Sequence, residues 1–363
     1  MFPPNAILTG SISSRYPSEN SELLSVVYDY ETVQLGAGDY CRNLDFAATG
    51  AFVVYNEQVG AKLHSFGTIR EGLLAVCLAD TRNSTWWGSE VQNTEVPLCP
   101  SGADIEVGQE AGLKQSVLLW NTKEIQNLLD TVTLDDDVLR RFEALLAQGV
   151  QSGMALHSTA KNLRNWGQFI GSLVSSMSAH QTSLSTERFN DLGVGALLSI
   201  LDEMMVGETQ RSLSRSRALD LVTRAVELDR KIRNAPCIIP VLAGNLGCSR
   251  RKLELAFKEV VGVSPLRYLN RRRMNHAFQD LSNGSLGQET VTAVAARYGF
   301  AELGRFSGAY KKLFGEMPSE TLKSWRKPSR IILPSWDQKT QPSTLHCKKG
   351  DFQTFDGPTS QPN

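Results

Sequence analysis

Between Cys237 and Leu322 the chain carries one pattern twice. Advancing 53 positions from Leu253, Phe257, Lys258, Gly262 and Pro265 lands on Phe306, Tyr310, Lys311, Gly315 and Pro318, and Ala243 lands on Ala296. Apart from the lysines these residue types face inward or form turns, and their common register implies a duplicated structural unit. Each copy must then be small enough to repeat within that spacing and must bury its apolar face against its neighbours.

The local signals say what the unit is. Pro240 suits the first turn of a helix, Ile239, Leu242, Ala243 and Leu246 recur at helical spacing, and Gly247 supplies a tight turn. Ser249 is an N-cap for a second helix that turns Leu253 and Phe257 inward. Two short helices joined by a tight turn make a helix-turn-helix. The second copy has the same parts: Thr290 as N-cap, Val291, Val294, Ala295 and Tyr298 on the buried face, a turn at Gly299, and a helix carrying Phe306, Tyr310 and Leu313. Between the copies, Ser264 and Pro265 open a longer helix whose stripe is Leu269, Met274, Ala277 and Leu281, which holds the units at a fixed separation.

Charge separates this region from the rest. The net charge is zero, yet residues 231–330 hold 18 Lys and Arg against 7 Asp and Glu, while residues 1–230 hold 17 against 28. A basic module follows an acidic one, which points to a polyanion as partner of the C-terminal part. Arg250, Arg251 and Lys252 sit in the first turn of a helix, where the macrodipole is already positive. That mismatch is relieved when a phosphate binds there. A solvated basic face is the plainer reading of any one cation, but three in one turn of a basic module favour nucleic acid. Arg271, Arg272 and Arg273 on the linking helix carry less weight, since one of them can be structural, paired with Asp280 or Glu259.

The first third reads as strands. Runs at Ala51–Tyr55, Gly72–Ala79, Ser84–Trp87, Ala103–Val107 and Ser116–Trp120 are separated by Gly, Asn, Asp and Pro clusters, as in a small barrel or sandwich, and a cupin-like β-barrel is expected. Trp86, Trp87 and Trp120 are candidates to line a ligand cavity in it. Core filling weighs more, because alternation sends one of two adjacent tryptophans inward by default. His64 reads as a hydrogen-bonded structural residue. From Thr122 to Ala179 and Glu187 to Arg233 the apolar spacing becomes helical. The amphipathic run Ala218–Leu228 suits either a dimer interface or a cap on the barrel.

The expected fold class is α+β: the cupin-like β-barrel with following helices, then an all-α domain of two helix-turn-helix units joined by a linking helix. The expected divisions are a flexible N-terminus at 1–20, a β-rich sensing or dimerisation domain at 21–125, a helical region at 126–227, the DNA-binding domain at 228–330 and a disordered tail at 331–363. Six scattered cysteines without C-x-x-C spacing and five histidines without H-x-H or H-E-x-x-H suggest no metal site, and no cofactor is implied. A cupin-type binding protein or enzyme with an appended helical interaction domain is the competing class, but no catalytic acid/base or metal-ligand cluster stands at recognisable spacing. No run approaches a membrane span and the N-terminus lacks signal-peptide features, so a cytoplasmic location is expected.

The segment S-R-R-x-L-x-x-x-F-K-x-x-x-G-x-S-P-x-x-Y-L from Ser249, followed by Y-G-F at Tyr298 and F-x-x-x-Y-K-x-x-F-G-x-x-P-S from Phe306, resembles the DNA-binding domain of the AraC/XylS transcriptional regulators. The resemblance covers about 100 residues, from Leu228 to Trp325. Residues Leu303–Leu322 are most similar to the branch that includes the ethanolamine-utilisation regulators. The resemblance implies double-stranded DNA as partner, each unit placing its second helix in successive major-groove segments. It implies RNA polymerase as a further partner, a small-molecule effector or homodimer acting through the N-terminal domain, and activation as the output. The positions it marks are Ser249, Arg250, Arg251, Lys252 and Glu254 in the first unit, Arg273 on the linking helix, and Leu303, Gly304, Arg305, Ser307, Lys311 and Lys312 in the second. Leu255 and Gly308 depart from the family's usual polar residues, so the first unit is expected to discriminate sequence and the second to position the protein.

Overall fold

The computed structural model describes residues 7–14, 16, 24–38, 40–79, 84–90, 95–130, 136–147, 154–157, 161–179, 183–206, 210–212, 217–232, 237–283 and 290–323. Among these described residues, thirteen strands precede or interleave with the first helices: β1 (Leu8–Ser14), β2 (Tyr28–Gln34), β3 (Arg42–Ala48), β4 (Phe52–Val59), β5 (Leu63–Ile69), β6 (Leu73–Ala79), β7 (Ser84–Trp86), β8 (Ser89–Glu90), β9 (Glu95–Cys99), β10 (Asp104–Gln109), β11 (Lys114–Asn121), β12 (Met154–His157) and β13 (Gln210–Ser212). They hydrogen-bond as two sheets, one ordered β1-β3-β4-β11-β6-β9-β12-β13 and one ordered β2-β5-β10-β7-β8. The expected closed cupin-like barrel is therefore not formed among the described residues; the strand runs themselves fall close to where alternation put them.

Two further expectations change here. The stretch at 1–20 contains β1, which pairs with β3 from Leu8↔Ala48 to Ser14↔Arg42. The helical region at 126–227 contributes β12, which pairs with β9, and β13, which extends the same sheet. Both strands are short and their partners lie far away in sequence, so no local period announces them. The tail at 331–363 lies outside the described residues.

Alternation along the central strands feeds two cores. On β4, Val53 and Tyr55 join one buried cluster while Phe52 and Val54 join another; on β11, Val117 and Leu119 face the first, and Leu118 and Trp120 the second. The strand residues of the first cluster lie between the sheets, and the cluster continues into the C-terminal helices. The second is covered by α1 (Thr122–Leu129), α2 (Asp136–Ala147), α3 (Lys161–Ser178) and α4 (Thr186–Val206). Helix α4 crosses close to the sheet because Gly193 lacks a side chain: a Cβ there would lie 2.6 Å from the Phe52 ring.

The C-terminal helices are α5 (Arg217–Lys231), α6 (Ile239–Asn245), α7 (Arg250–Val261), α8 (Pro265–Asn283), α9 (Val291–Arg297), α10 (Leu303–Phe314) and α11 (Pro318–Lys323). Adding 53 to the bounds of α7 gives those of α10, so the duplication read from side chains is also one of backbone. Both helices end on a left-handed glycine, Gly262 at φ 71° and Gly315 at φ 80°. Helix α5 buries Leu219, Leu221, Val222, Ala225 and Val226 in a cluster shared with α6 and α7. Its apolar face is thus occupied within the chain by α6 and α7.

Helix α8 docks on β2. The Gln34 N–H donates to Asn275 Oδ1 at 3.1 Å, Asn275 Nδ2 donates back to the Gln34 carbonyl, and Gln34 Nε2 reaches the Leu313 carbonyl at 2.9 Å. His64, buried, bridges Tyr268 Oη at 2.9 Å and Glu106 Oε1 at 2.6 Å. Glu31 on β2 pairs with Arg272 at 2.7 Å and lies 3.1 Å from His276 Nε2.

Burial pushes the Glu31 carboxyl up, but the His276 hydrogen bond and the Arg272 charge outweigh it and hold the pKa at about 2 instead of 4.5. The folded value lies below the unfolded one, so this contribution is present in full above 4.5 and is lost as pH falls toward 2. Hydrogen exchange of β2 and α8 amides will accelerate across that window, and Glu31→Gln will flatten the dependence. An unchanged profile in the variant would remove Glu31 as its origin.

Candidate nucleic-acid interface

Helix α7 starts cleanly because Ser249, in extended conformation, accepts from the Lys252 N–H through its side chain. Leu253, Ala256, Phe257, Val260 and Val261 are buried. On the opposite side Arg251, Leu255 and Lys258, spaced i, i+4, i+7, form an exposed row. Arg250 is held on the flank by an ion pair to Glu254 at 2.8 Å, both side chains being largely exposed. Arg251 and Lys252 project into solvent from the first turn.

The same construction in α10 gives a different surface. Phe306, Tyr310, Leu313 and Phe314 are buried, and the outward row is Gly304, Gly308 and Lys311. A Cβ on either glycine would meet no atom within 4 Å, so nothing inside the chain requires them. Glu302, the N-cap residue, makes no capping hydrogen bond and instead pairs with Arg305 at 3.0 Å. Leu303 is exposed, Ser307 half-buried, and Lys311 and Lys312 exposed.

Arg273 is misplaced in the sequence-based set. It is 4% exposed and ion-paired to Asp229 of α5, with Nη1 near the Tyr298 carbonyl. It braces the linking helix between the two units and cannot reach a phosphate. Arg272 is also consumed, by Glu31, and Asp280 is taken by Arg297 at 2.7 Å. The partners suggested by sequence, Asp280 and Glu259, were wrong because the true ones come from other elements. Lys258 is an outward residue that the sequence did not mark for DNA, and Leu255, noted there only as a departure from the usual polar residue, stands outward beside it; their i+4 and i+7 spacing from Arg251 was the available signal.

In the N-terminal part, a cavity of about 40 Å³ lies between the sheets, with Tyr28, Arg42, Glu57, Trp86, Gln109 and Gln115 among its walls. Arg42 is ion-paired to Glu57, and Gln115 donates to the same carboxylate. Burial pushes the Cys77 and Cys99 thiols up, Cys99 to about 12, so they add no charge. The buried Trp86 Nε1 and Gln109 Oε1 have no hydrogen-bond partner among the described residues.

Only Trp86 of the three candidate tryptophans lines this space. Trp87, at φ 50°, donates to the Asp104 carbonyl at 2.9 Å and is buried beside it. Trp120 faces the other core and donates to the Gly193 carbonyl at 2.8 Å. Its parity on β11, opposite to that of Val117, decides this.

Two helix-turn-helix units on one rigid linking helix, with basic outward helices, define a tandem DNA-binding module. Residues 242–324 match the helix-turn-helix domain family. The probable thc operon regulatory protein of Rhodococcus erythropolis is 38% identical over 104 residues, 29% of this chain and 31% of that protein. The XylDLEGF operon transcriptional activator of Pseudomonas putida is 28% identical over 166 residues, 46% of this chain and 51% of that one. Among solved structures, a probable AraC family transcriptional regulator from Rhodopseudomonas palustris CGA009 is 37% identical over 30% of this chain and 99% of that one, with a TM-score of 0.28. The family similarity falls on the C-terminal domain, where residues 242–324 match the helix-turn-helix model. The chain spans about a third to a half of the length of the curated relatives it matches.

Proposed function

We propose that the protein is a sequence-specific DNA-binding regulator of transcription, an activator, in which the N-terminal sheets control how the tandem module engages promoter DNA. The observation that carries this is the basic row on α7, Arg251 and Lys258, on the face away from the core of an AraC-type domain. Phosphate attraction supplies affinity, and the first unit supplies most discrimination: Arg251 can pair bidentately with guanine, and Glu254 can accept from cytosine N4. The second unit, thinned at Gly304 and Gly308, positions the protein through Arg305, Lys311 and Lys312.

The name of the Pseudomonas putida relative, an operon transcriptional activator, supports activation as output; RNA polymerase and a second copy of the chain are the protein partners of this reading. The segment Leu303–Leu322 supports a place near the ethanolamine-utilisation branch of the family. The module extends over 228–330, and the region 21–125 senses a small molecule.

That sensing role rests on the cavity, whose unpartnered indole donor and amide acceptor face a space too small for more than a few waters or a very small solute as it stands. A thermal-shift screen of the full chain against small metabolites tests it, since a ligand of the folded state must raise its stability.

Arg251→Ala will cost about 1–3 kcal/mol of specific binding and relax preference at one base pair. Lys311→Ala will weaken binding on all sequences alike and lower the salt slope. Binding that is absent, or insensitive to salt, would sink the regulator reading; equal weakening on all sequences by Arg251→Ala would demote it to a phosphate contact.

A further inference from the structure

We propose that Leu255 is a specificity-determining residue that reads the C5-methyl group of one thymine in the major groove, a role that rests on the DNA-binding reading of α7. Leu255 is 56% exposed, one turn from Arg251 and just under one turn from Lys258, on the side of the helix diametrically opposite Leu253 and Phe257. An apolar side chain at the centre of an otherwise charged row gains nothing from water and contributes nothing to the core. It also carries no donor or acceptor, so it cannot recognise the edges of guanine, cytosine or adenine by hydrogen bonding. The thymine methyl is the one apolar feature that the major groove presents.

The flanking cations place the residue. Arg251, read above as pairing with guanine, and Lys258, which attracts the phosphates bordering the groove, flank Leu255, and what lies between them on the same row is carried toward the base edges. The second unit supplies the contrast, because the residue 53 positions on is Gly308, whose outward side is open. The matching position of the second unit therefore offers no methyl readout. Leucine in place of a polar residue removes a hydrogen-bonding group from this position and puts in its stead an apolar surface suited to a methyl group.

The test uses the full chain. Duplexes are selected from a random pool, and each thymine in the part of the enriched site covered by α7 is replaced singly by uracil, which removes the methyl and keeps every hydrogen-bonding group. One replacement should weaken binding about three- to five-fold. Leu255→Ala should weaken binding to the thymine duplex by a similar factor and show no further loss with uracil at that position. Leu255→Gln should shift the preferred base there toward adenine.

Uracil tolerated everywhere, or a uracil loss that persists undiminished in Leu255→Ala, overturns the proposal. So does a Leu255→Ala protein with unaltered DNA selection but lost self-association, which would make the residue a protein contact. A pool that yields no enriched sequence overturns the regulator reading itself, and this proposal with it.

Discussion

Replacing Asp229 by alanine will destabilise the tandem module by about 3–5 kcal/mol, because it strips the carboxylate from a buried guanidinium. Asp229 and Arg273 are each about 4% exposed, and their ion pair ties α5 to the linking helix α8. The approach of Arg273 to the Tyr298 carbonyl, at 3.5 Å, cannot neutralise a charge out of water. Hydrogen exchange across α5, α7 and α8 should rise together, and DNA binding should fall only as far as folding does. Exchanging both partners at once, Asp229→Leu with Arg273→Met, should recover most of the loss or exceed the parent, since no buried charge is left. A loss under about 1 kcal/mol for Asp229→Ala would mean that water reaches Arg273 and that the brace is not dry.

Trp120→Ala should cost the N-terminal half about 3–5 kcal/mol. The ring is fully buried beside Phe52, with centroids 5.5 Å apart, and its indole N–H holds α4 through the Gly193 carbonyl. Trp86→Phe should cost far less, because its indole N–H has no partner to lose and its ring borders an existing cavity. The contrast is read by denaturant midpoint on the full chain. Equal losses would show that both rings serve packing and that the cavity wall is as tightly filled as the helix-covered core.

The tandem module was the most legible part of the chain. Helix spacing, a serine N-cap at Ser249, a threonine N-cap at Thr290 and left-handed glycines at Gly247 and Gly299 are properties of residues within a few positions of one another. Strand positions in the first third were legible for the same reason. What failed were statements about partners. Arg272 meets Glu31 across 241 positions and Arg273 meets Asp229 across 44, and no period links such residues. The tryptophans were open between cavity and core, with core filling favoured: Trp87 and Trp120 are core and only Trp86 borders the cavity, and which side of the sheet each faced needed the parity of the whole sheet.

A duplicated, basic helix-turn-helix module behind an acidic, strand-rich half follows from the order of amino acids alone, because repeat register, turn glycines and net charge are local or additive quantities. Which cations remain at the surface does not follow from it and is settled by packing. Of the residues marked for DNA, Arg273 was drawn into the core while Leu255, noted only as lacking the usual polar group, was left outside, because burial depends on distant elements competing for the same face of a helix. The same long-range packing seated α8 on β2, giving the N-terminal sheets a physical grip on the helix that spaces the two DNA-binding units.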